Sequence, residues 1–230
     1  MAAFKVILAQ DLRQANRDQA AANRARFTAS KVTVVNLISS PGAGKTSILE
    51  ATLERLAGEM AIAVIEGDIA TSRDAARIAA WQVPVVQINT AGACHLDAAL
   101  IAAALPELPL EDLDLLFIEN VGNLVCPAEF DLGEDAKAAI LSVAEGSDKP
   151  LKYPLVFQEA SILLLNKIDL LPNTDFDLAS FRQDLNGLNP NLQVLPLSAR
   201  TGEGLEGWCL WLKQQVALKK ARNAPCGVTA

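Results

Sequence analysis

Lys45 and Thr46 close a stretch, residues 32–46, that reads V-T-V-V-N-L-I-S-S-P-G-A-G-K-T. An apolar, β-branched run breaks at Ser39 into a Pro/Gly loop, and a helical pattern follows at once. Strand, glycine loop, lysine, hydroxyl and helix together cradle nucleoside phosphates. Gly42 and Gly44 let the backbone turn so that successive N–H groups point at phosphate oxygens. Lys45 then reaches the β- and γ-phosphates, and the Thr46 hydroxyl ligates Mg²⁺. The nucleotide-contacting set is Ser40, Gly42, Ala43, Gly44, Lys45, Thr46 and Ser47. The pattern G-x-x-x-x-G-K-[ST] wants Gly first, and here that position is Ser39.

A second group is positioned to read the base. An apolar strand over residues 161–165 runs into Asn166-Lys167-Ile168-Asp169, which resembles the N-K-x-D base-recognition motif of GTPases. A carboxylate at Asp169 accepts from guanine's ring N–H and exocyclic amine, a donor pair that adenine lacks. Lys167 lies along the base and Asn166 braces the loops. Further on, Ser198-Ala199-Arg200 resembles the second base loop, with the Ala199 N–H meeting guanine's carbonyl oxygen. Each of the three motifs follows a strand, and together they favour GTP over ATP.

The acids come next. A strand over residues 113–118 precedes Glu119-Asn120-Val121-Gly122, where GTPases often show D-x-x-G; here the acid is glutamate. Gly122 N–H is expected to sense the γ-phosphate and Glu119 to hold Mg²⁺ through water. The earlier loop, residues 66–74, holds Asp68 and Asp74 for the Mg²⁺ shell or the attacking water. Helix capping is the other reading of both, since acids favour a first helical turn. No glutamine follows Gly122, so slow intrinsic hydrolysis, completed by dimerisation or a partner, is expected.

Soft ligands form a third group. His95, the one histidine of the chain, follows Cys94, and Cys126 lies in another irregular loop after a strand. Thiolate and imidazole suit Zn²⁺ or Ni²⁺. Spacing alone also allows two small buried thiols and a helix-start histidine. Three ligands are one short of a closed tetrahedral site, which a two-fold dimer would complete.

The elements that must position these groups alternate. Helical patterns cover residues 11–30, 47–60, 71–81, part of 91–105, 177–186 and 204–220. Strand-like runs cover 32–38, 61–65, 83–88, 113–118, 138–144, 161–165 and 193–197. Such alternation means α/β architecture, a mostly parallel sheet with helices on both faces and ligands at the carboxyl ends of the strands. The expected organisation is an N-terminal helical lead-in (1–30), one nucleotide-binding domain (31–220) and a loose tail (221–230). The lead-in helix has a thin apolar face, suited to the domain edge or to a partner chain.

Composition bounds the rest. The 230 residues are 51% hydrophobic and 20% charged, an ordinary soluble balance with net charge −7. That charge argues against a nucleic-acid partner. No apolar run reaches the roughly 18 residues of a membrane span, and the N-terminal apolar run lacks the length of a signal peptide. Four widely spaced cysteines without a secretory signal point to a reduced, cytoplasmic setting.

The blocks S-S-P-G-A-G-K-T, E-G-D-I-A-T-S-R-D-A, N-T-A-G-A-C-H-L, E-N-V-G-N-L-V-C-P-A, S-D-K-P-L-K-Y-P and N-K-I-D resemble the nickel-incorporation GTPases of hydrogenase maturation, a group of P-loop GTPases. The likeness runs from about Asn16 to Val216, and Ser39 matches that family's usual form. It implies a P-loop NTPase three-layer sandwich and assigns Cys94, His95 and Cys126 to Ni²⁺ or Zn²⁺. It further implies a homodimer promoted by GTP or metal, a zinc-binding maturation partner, and delivery of nickel to the [NiFe] hydrogenase large subunit. The resemblance also implies that Lys149 or Lys152 reaches a nucleotide phosphate, in its own chain or across the dimer. Residues 1–30 contain neither Cys nor His, so the nickel-storage run and tight N-terminal site of some members are not expected. Cys226 reads as an incidental thiol. The related urease-type nickel GTPase uses Cys-Pro-His, whereas here Cys94 adjoins His95. A small-molecule kinase leaves N-K-I-D unexplained, and a passive metal module gives Lys45 and Asp169 no role.

Overall fold

The computed structural model describes residues 9–68 and 73–222. β1 (Thr33–Ser39), β2 (Ile62–Asp68), β3 (Val85–Asn89), β4 (Leu115–Glu119), β5 (Ala136–Ser142), β6 (Ile162–Asn166) and β7 (Gln193–Pro196) form one sheet. Their spatial order is β3-β2-β4-β1-β5-β6-β7, and every neighbouring pair is parallel. The sheet is therefore wholly parallel among the described residues, where a mostly parallel one was expected. Chain order reverses at β1, which is flanked by β4 and β5. In open α/β sheets such a point leaves a crevice outside the carboxyl ends of the strands.

Parallel strands need cover on both faces, and β1 shows how the sequence provides it. Val35 and Leu37 point to one layer, with Phe117 of β4 and Leu164 of β6, beneath α2 (Lys45–Leu56) and α9 (Leu205–Arg222). Trp208 welds those two helices. It is fully buried, and its Nε1–H donates to Thr52 Oγ1 at 3.0 Å. The alternate residues of β1 face the other layer. Val34 packs there with Phe27 of α1 (Ala9–Ala29) and Ile101 of α4 (Ala98–Ala104), and Ile38 packs with Phe157 and Phe181. Phe157 belongs to α7 (Pro154–Glu159) and Phe181 to α8 (Leu178–Leu188). The remaining helices are α3 (Arg73–Ala79), α5 (Cys126–Glu129) and α6 (Lys149–Lys152).

Several boundaries depart from the sequence pattern for tertiary reasons. β2 continues past Ile65 to Asp68 because Glu66, Gly67 and Asp68 pair with Gln87, Ile88 and Asn89 of β3. α2 begins at Lys45 instead of Ser47, so the phosphate-loop lysine and threonine form its first turn, and it ends at Leu56 instead of Met60. α4 begins only after Asp97, whose side chain caps it by accepting from Leu100 N. Residues 91–97 are thus left as a loop carrying Cys94 and His95. The short helices α6 and α7, opened by prolines at their first turns, were not legible from periodicity. The closing helix runs on to Arg222 instead of stopping at Lys220. The expected helix start at Thr71, and Cys226, lie outside the described residues.

α1 packs against α4 and shares the layer of Phe27 with the sheet. Ala20, Asn23 and Phe27 are fully buried at helical spacing, so its seam is narrow but complete. Gly133 lets it sit close. Its φ is +94°, and a Cβ there would meet Ala20 O at 2.8 Å and Arg24 N at 2.9 Å. Gly133→Ala is expected to cost about 1–3 kcal/mol through strain and overpacking, read as a lower denaturation midpoint. An unchanged midpoint would show that α1 is not seated here.

Candidate nucleotide and metal site

The phosphate loop spans the turn from β1 to α2, with Gly42 at φ +77° and Gly44 at φ +104°. A side chain at Gly44 would collide with Asn166 Nδ2. Ser39, the residue in place of the usual first glycine, accepts from Lys45 Nζ at 2.9 Å. The ammonium is buried, which pushes its pKa down, and Glu119, Asp74 and Glu145 oppose that. Ser40 Oγ bonds Glu145, and Glu145 also accepts from Ser142 N at 2.8 Å. The loop is therefore tied to the end of β5. Lys149 Nζ donates to Glu145 O at 2.5 Å, whereas Lys152 pairs with Asp148 at the surface.

At the end of β4, Glu119 is 3% exposed and its Oε1 accepts from Thr46 Oγ1 at 2.7 Å. Its Oε2 is buried without a partner among the described residues, as is Oε2 of Glu66. These two acids stand opposite each other on β4 and β2. Burial raises both, and the Glu119 charge helps push Glu66 up to about 8. Buried acids facing one another with orphan oxygens suit a cation. Glu66 lies in the quoted E-G-D block, but only the register of β2 with β4 shows that it is buried beside Glu119.

A cleft of about 480 Å³ lies between these groups, lined by Lys45, Thr46, Glu66, Asp68, Glu119 and Gly122 among others. Asp74 and Arg77 also face it. Asp74 sits in the first turn of α3 and pairs with Arg77 at 3.0 Å, while Arg77 Nε donates to Glu50 of α2 at 3.0 Å. Arg77 was not anticipated; its helical spacing gives no sign that it would turn toward this cleft.

The base loops adjoin this cleft. A second hollow of about 600 Å³, lined by Trp81, Asn166, Asp169, Ala199 and Arg200, shares Gly44, Ser47 and Lys167 with the first. Asn166 joins its walls, since Nδ2 donates to Ala43 O at 2.9 Å and Oδ1 accepts from Ala199 N at 3.1 Å. Lys167 Nζ donates to Gly42 O at 2.7 Å. Ser198 Oγ donates to Asp169 Oδ1 at 2.6 Å and orients the carboxylate. Arg200 approaches Asp169 at 3.8 Å from an exposed position, a weak contact.

Cys94, His95 and Cys126 come together although they lie on two loops. Their candidate ligand atoms all fall within 4.8 Å. Cys94 Sγ is 3.1 Å from Cys126 Sγ and 3.7 Å from His95 Nδ1. The neighbouring Cys94 thiol pushes the Cys126 thiol up, and burial pushes His95 down, toward the neutral imidazole that can ligate. The His95 ring packs on Phe130 with centroids 4.0 Å apart. Cys209 is buried in the α9 layer, away from this group.

A family model described as CobW/HypB/UreG, nucleotide-binding domain, matches residues 33–196. The chain belongs to that family. Among its relatives, the hydrogenase maturation factor HypB of Escherichia coli K12 is 54% identical over 205 residues, covering 89% of this chain and 71% of that protein. A crystal structure of HypB from Helicobacter pylori in complex with nickel superposes with TM-score 0.84 at 35% identity, covering 92% of this chain and 98% of that one. HypB from Archaeoglobus fulgidus gives TM-score 0.83 at 34% identity, with 88% and 99% covered. The matched span of the CobW/HypB/UreG family contains the phosphate cleft and all three soft ligands, while Ala199 and Arg200 of the second hollow lie just beyond it. No helix among the described residues is long and apolar enough to cross a membrane.

The raised Glu66 carboxyl has a consequence for stability. From its ordinary 4.5 to about 8, the folded chain holds a proton that the unfolded chain releases. Stability of the nucleotide-free protein should therefore fall as pH rises through that window. Glu66→Gln should flatten part of the slope in denaturant titrations. An equal slope in the variant would contradict the assignment.

Proposed function

We propose that this chain is a GTP-binding and GTP-hydrolysing metallochaperone that couples its nucleotide state to nickel or zinc binding and helps insert nickel into [NiFe] hydrogenase. The observation that carries the reading is the segment after β4. It begins with Glu119 and Gly122 at the phosphate cleft and ends with Cys126 in the soft-ligand group. A movement at one end reaches the other within a few residues.

In this reading the backbone of Ser40, Gly42, Ala43 and Gly44 receives the phosphates with Lys45, and Ser47 lines the path to the base. Thr46 and Asp68 hold Mg²⁺, with Glu119 acting through water; the orphan oxygens of Glu66 and Glu119 fit a cation there. Bound Mg²⁺ supplies charge neutralisation at the phosphates. Asp74 helps to place the attacking water, and Gly122 senses the γ-phosphate. Asp169 takes guanine's two donors, braced by Asn166, Lys167 and Ser198, with Ala199 N–H and Arg200 beside the base.

Nickel is the cargo. Two thiols and an imidazole suit it, as they suit zinc, and three ligands leave room for a donor from a second copy or a recipient. The protein accordingly works as a homodimer promoted by GTP or metal. It acts in the cytoplasm with a zinc-binding maturation partner and the hydrogenase large subunit. The nickel complex of the Helicobacter pylori relative supports the choice of metal.

Two measurements test the reading. Asp169→Asn replaces an acceptor by a donor and should cost guanine nucleotides at least about tenfold in affinity. ATP binding as strongly as GTP in the wild type would overturn the GTP assignment. Cys126→Ala should lower Ni²⁺ stoichiometry or affinity in metal analysis after size exclusion; unchanged binding would remove the triad from the account.

A further inference from the structure

Cys126 is carried by the nucleotide-facing loop itself, but Cys94 and His95 belong to the separate loop before α4. Two asparagines of the nucleotide-facing loop reach across to that second loop. Asn120 Oδ1 accepts from Leu96 N at 3.1 Å, and Asn123 Nδ2 donates to Cys94 O at 3.4 Å. Both bonds are to backbone, and they fall on the two residues flanking His95. In sequence, Asn120 and Asn123 bracket Gly122, whose N–H faces the phosphate cleft in the proposed function.

Asn120 is held firmly. It is 1% exposed, its N–H donates to Leu37 O at 3.1 Å, and its Nδ2 donates to Asn36 Oδ1 at 3.2 Å. Asn36 in turn donates to the buried Glu134 at 3.2 Å. A displaced Asn120 backbone therefore carries its side chain with it and does not simply rotate the amide aside.

The far end of the His95 loop is pinned by α1. Asn16 accepts from Ala98 N at 2.9 Å and donates to Asp131 O at 2.9 Å. Asn23, about two turns along the same helical face, donates to Ala98 O at 2.8 Å and Leu132 O at 3.1 Å. Each asparagine thus clasps the end of the His95 loop to the segment behind Phe130, on which the His95 ring rests.

We propose that Asn120 and Asn123 are positioning residues that transmit nucleotide state to Cys94 and His95, working against α1 as a fixed abutment. With Ala98 pinned, a pull at Leu96 and Cys94 cannot be absorbed by sliding the whole loop. It changes the placement of Cys94 and His95 relative to Cys126. One movement at Gly122 then acts on the ligand set from both sides. This inference rests on the metal-coupled reading above, and a contiguous set of contacts becomes a coupling route only when coupling is measured.

The test is the Ni²⁺ affinity of the full chain, by competition with a chromogenic chelator. It is measured at saturating GDP and at a saturating non-hydrolysable GTP analogue. The wild type should show affinities that differ about fivefold or more between the two states. Asn123→Ala should shrink that ratio, and Asn120→Ala should bring it close to one. Asn16→Ala loosens the pin on Ala98, so it should also shrink the ratio, by less than Asn120→Ala because Asn23 still holds Ala98 O. Asn123 is partly exposed, so its variant decides the matter even if Asn120→Ala fails to fold. A wild-type ratio of one overturns the coupling and this route together. A wild-type ratio that survives in the Asn123 and Asn120 variants overturns the route alone. A wild-type ratio in Asn16→Ala would overturn the role of α1 as abutment.

Discussion

The carboxylate of Glu119, held away from water at the end of β4, is the constraint on which the rest depends. An unpaired buried charge costs several kcal/mol. Here it is met on one oxygen by Thr46, with the Lys45 ammonium nearby, and on the other by nothing among the described residues. Directly across on β2 stands Glu66 with the same deficit. Two like acids side by side on adjacent strands destabilise each other, and the raised carboxyl of Glu66 reflects it. The phosphate loop, the first turn of α2 and two strand ends therefore converge on a place that a cation relieves. An ordinary core would not be built this way, so the strain reads as machinery.

The wholly parallel order makes that convergence unavoidable. With β2, β4 and β1 adjacent and running the same way, every loop that follows them emerges on one edge. The loop after β3 carries Cys94 and His95 to that edge, and the loop after β4 carries Cys126 and Gly122, which lines the cleft. Nucleotide and metal groups are neighbours because of strand order, not sequence proximity. Asparagine side chains supply the links between these loops. They suit the task because each can donate and accept at once, as Asn166, Asn120, Asn16 and Asn23 all do.

Local chemistry was the legible part. The phosphate loop and the base motifs are runs of adjacent residues, and each followed a strand that its own β-branched run announced. Contacts across the chain were not legible. Asn16 and Asn23 look like the polar positions of a solvated helix, and only docking on α4 shows that Asn23 is fully buried. Glu66 reads as the first residue of a loop until its pairing with Glu119 is seen. Spacing left Cys94 and Cys126 open to a structural reading, because nothing in the sequence says that two irregular loops meet. Arg77 resembles a surface cation until α3 is placed beside α2.

Linkage offers the most direct test of the central claim that one loop reads a nucleotide and a metal together. Calorimetric titration of a non-hydrolysable GTP analogue, and separately of GDP, into the full chain with and without one equivalent of Ni²⁺ measures it from the nucleotide side. The account predicts that Ni²⁺ changes the ratio of the two nucleotide affinities, by the same factor with which the nucleotides change Ni²⁺ affinity. A ratio that Ni²⁺ leaves unmoved would contradict it.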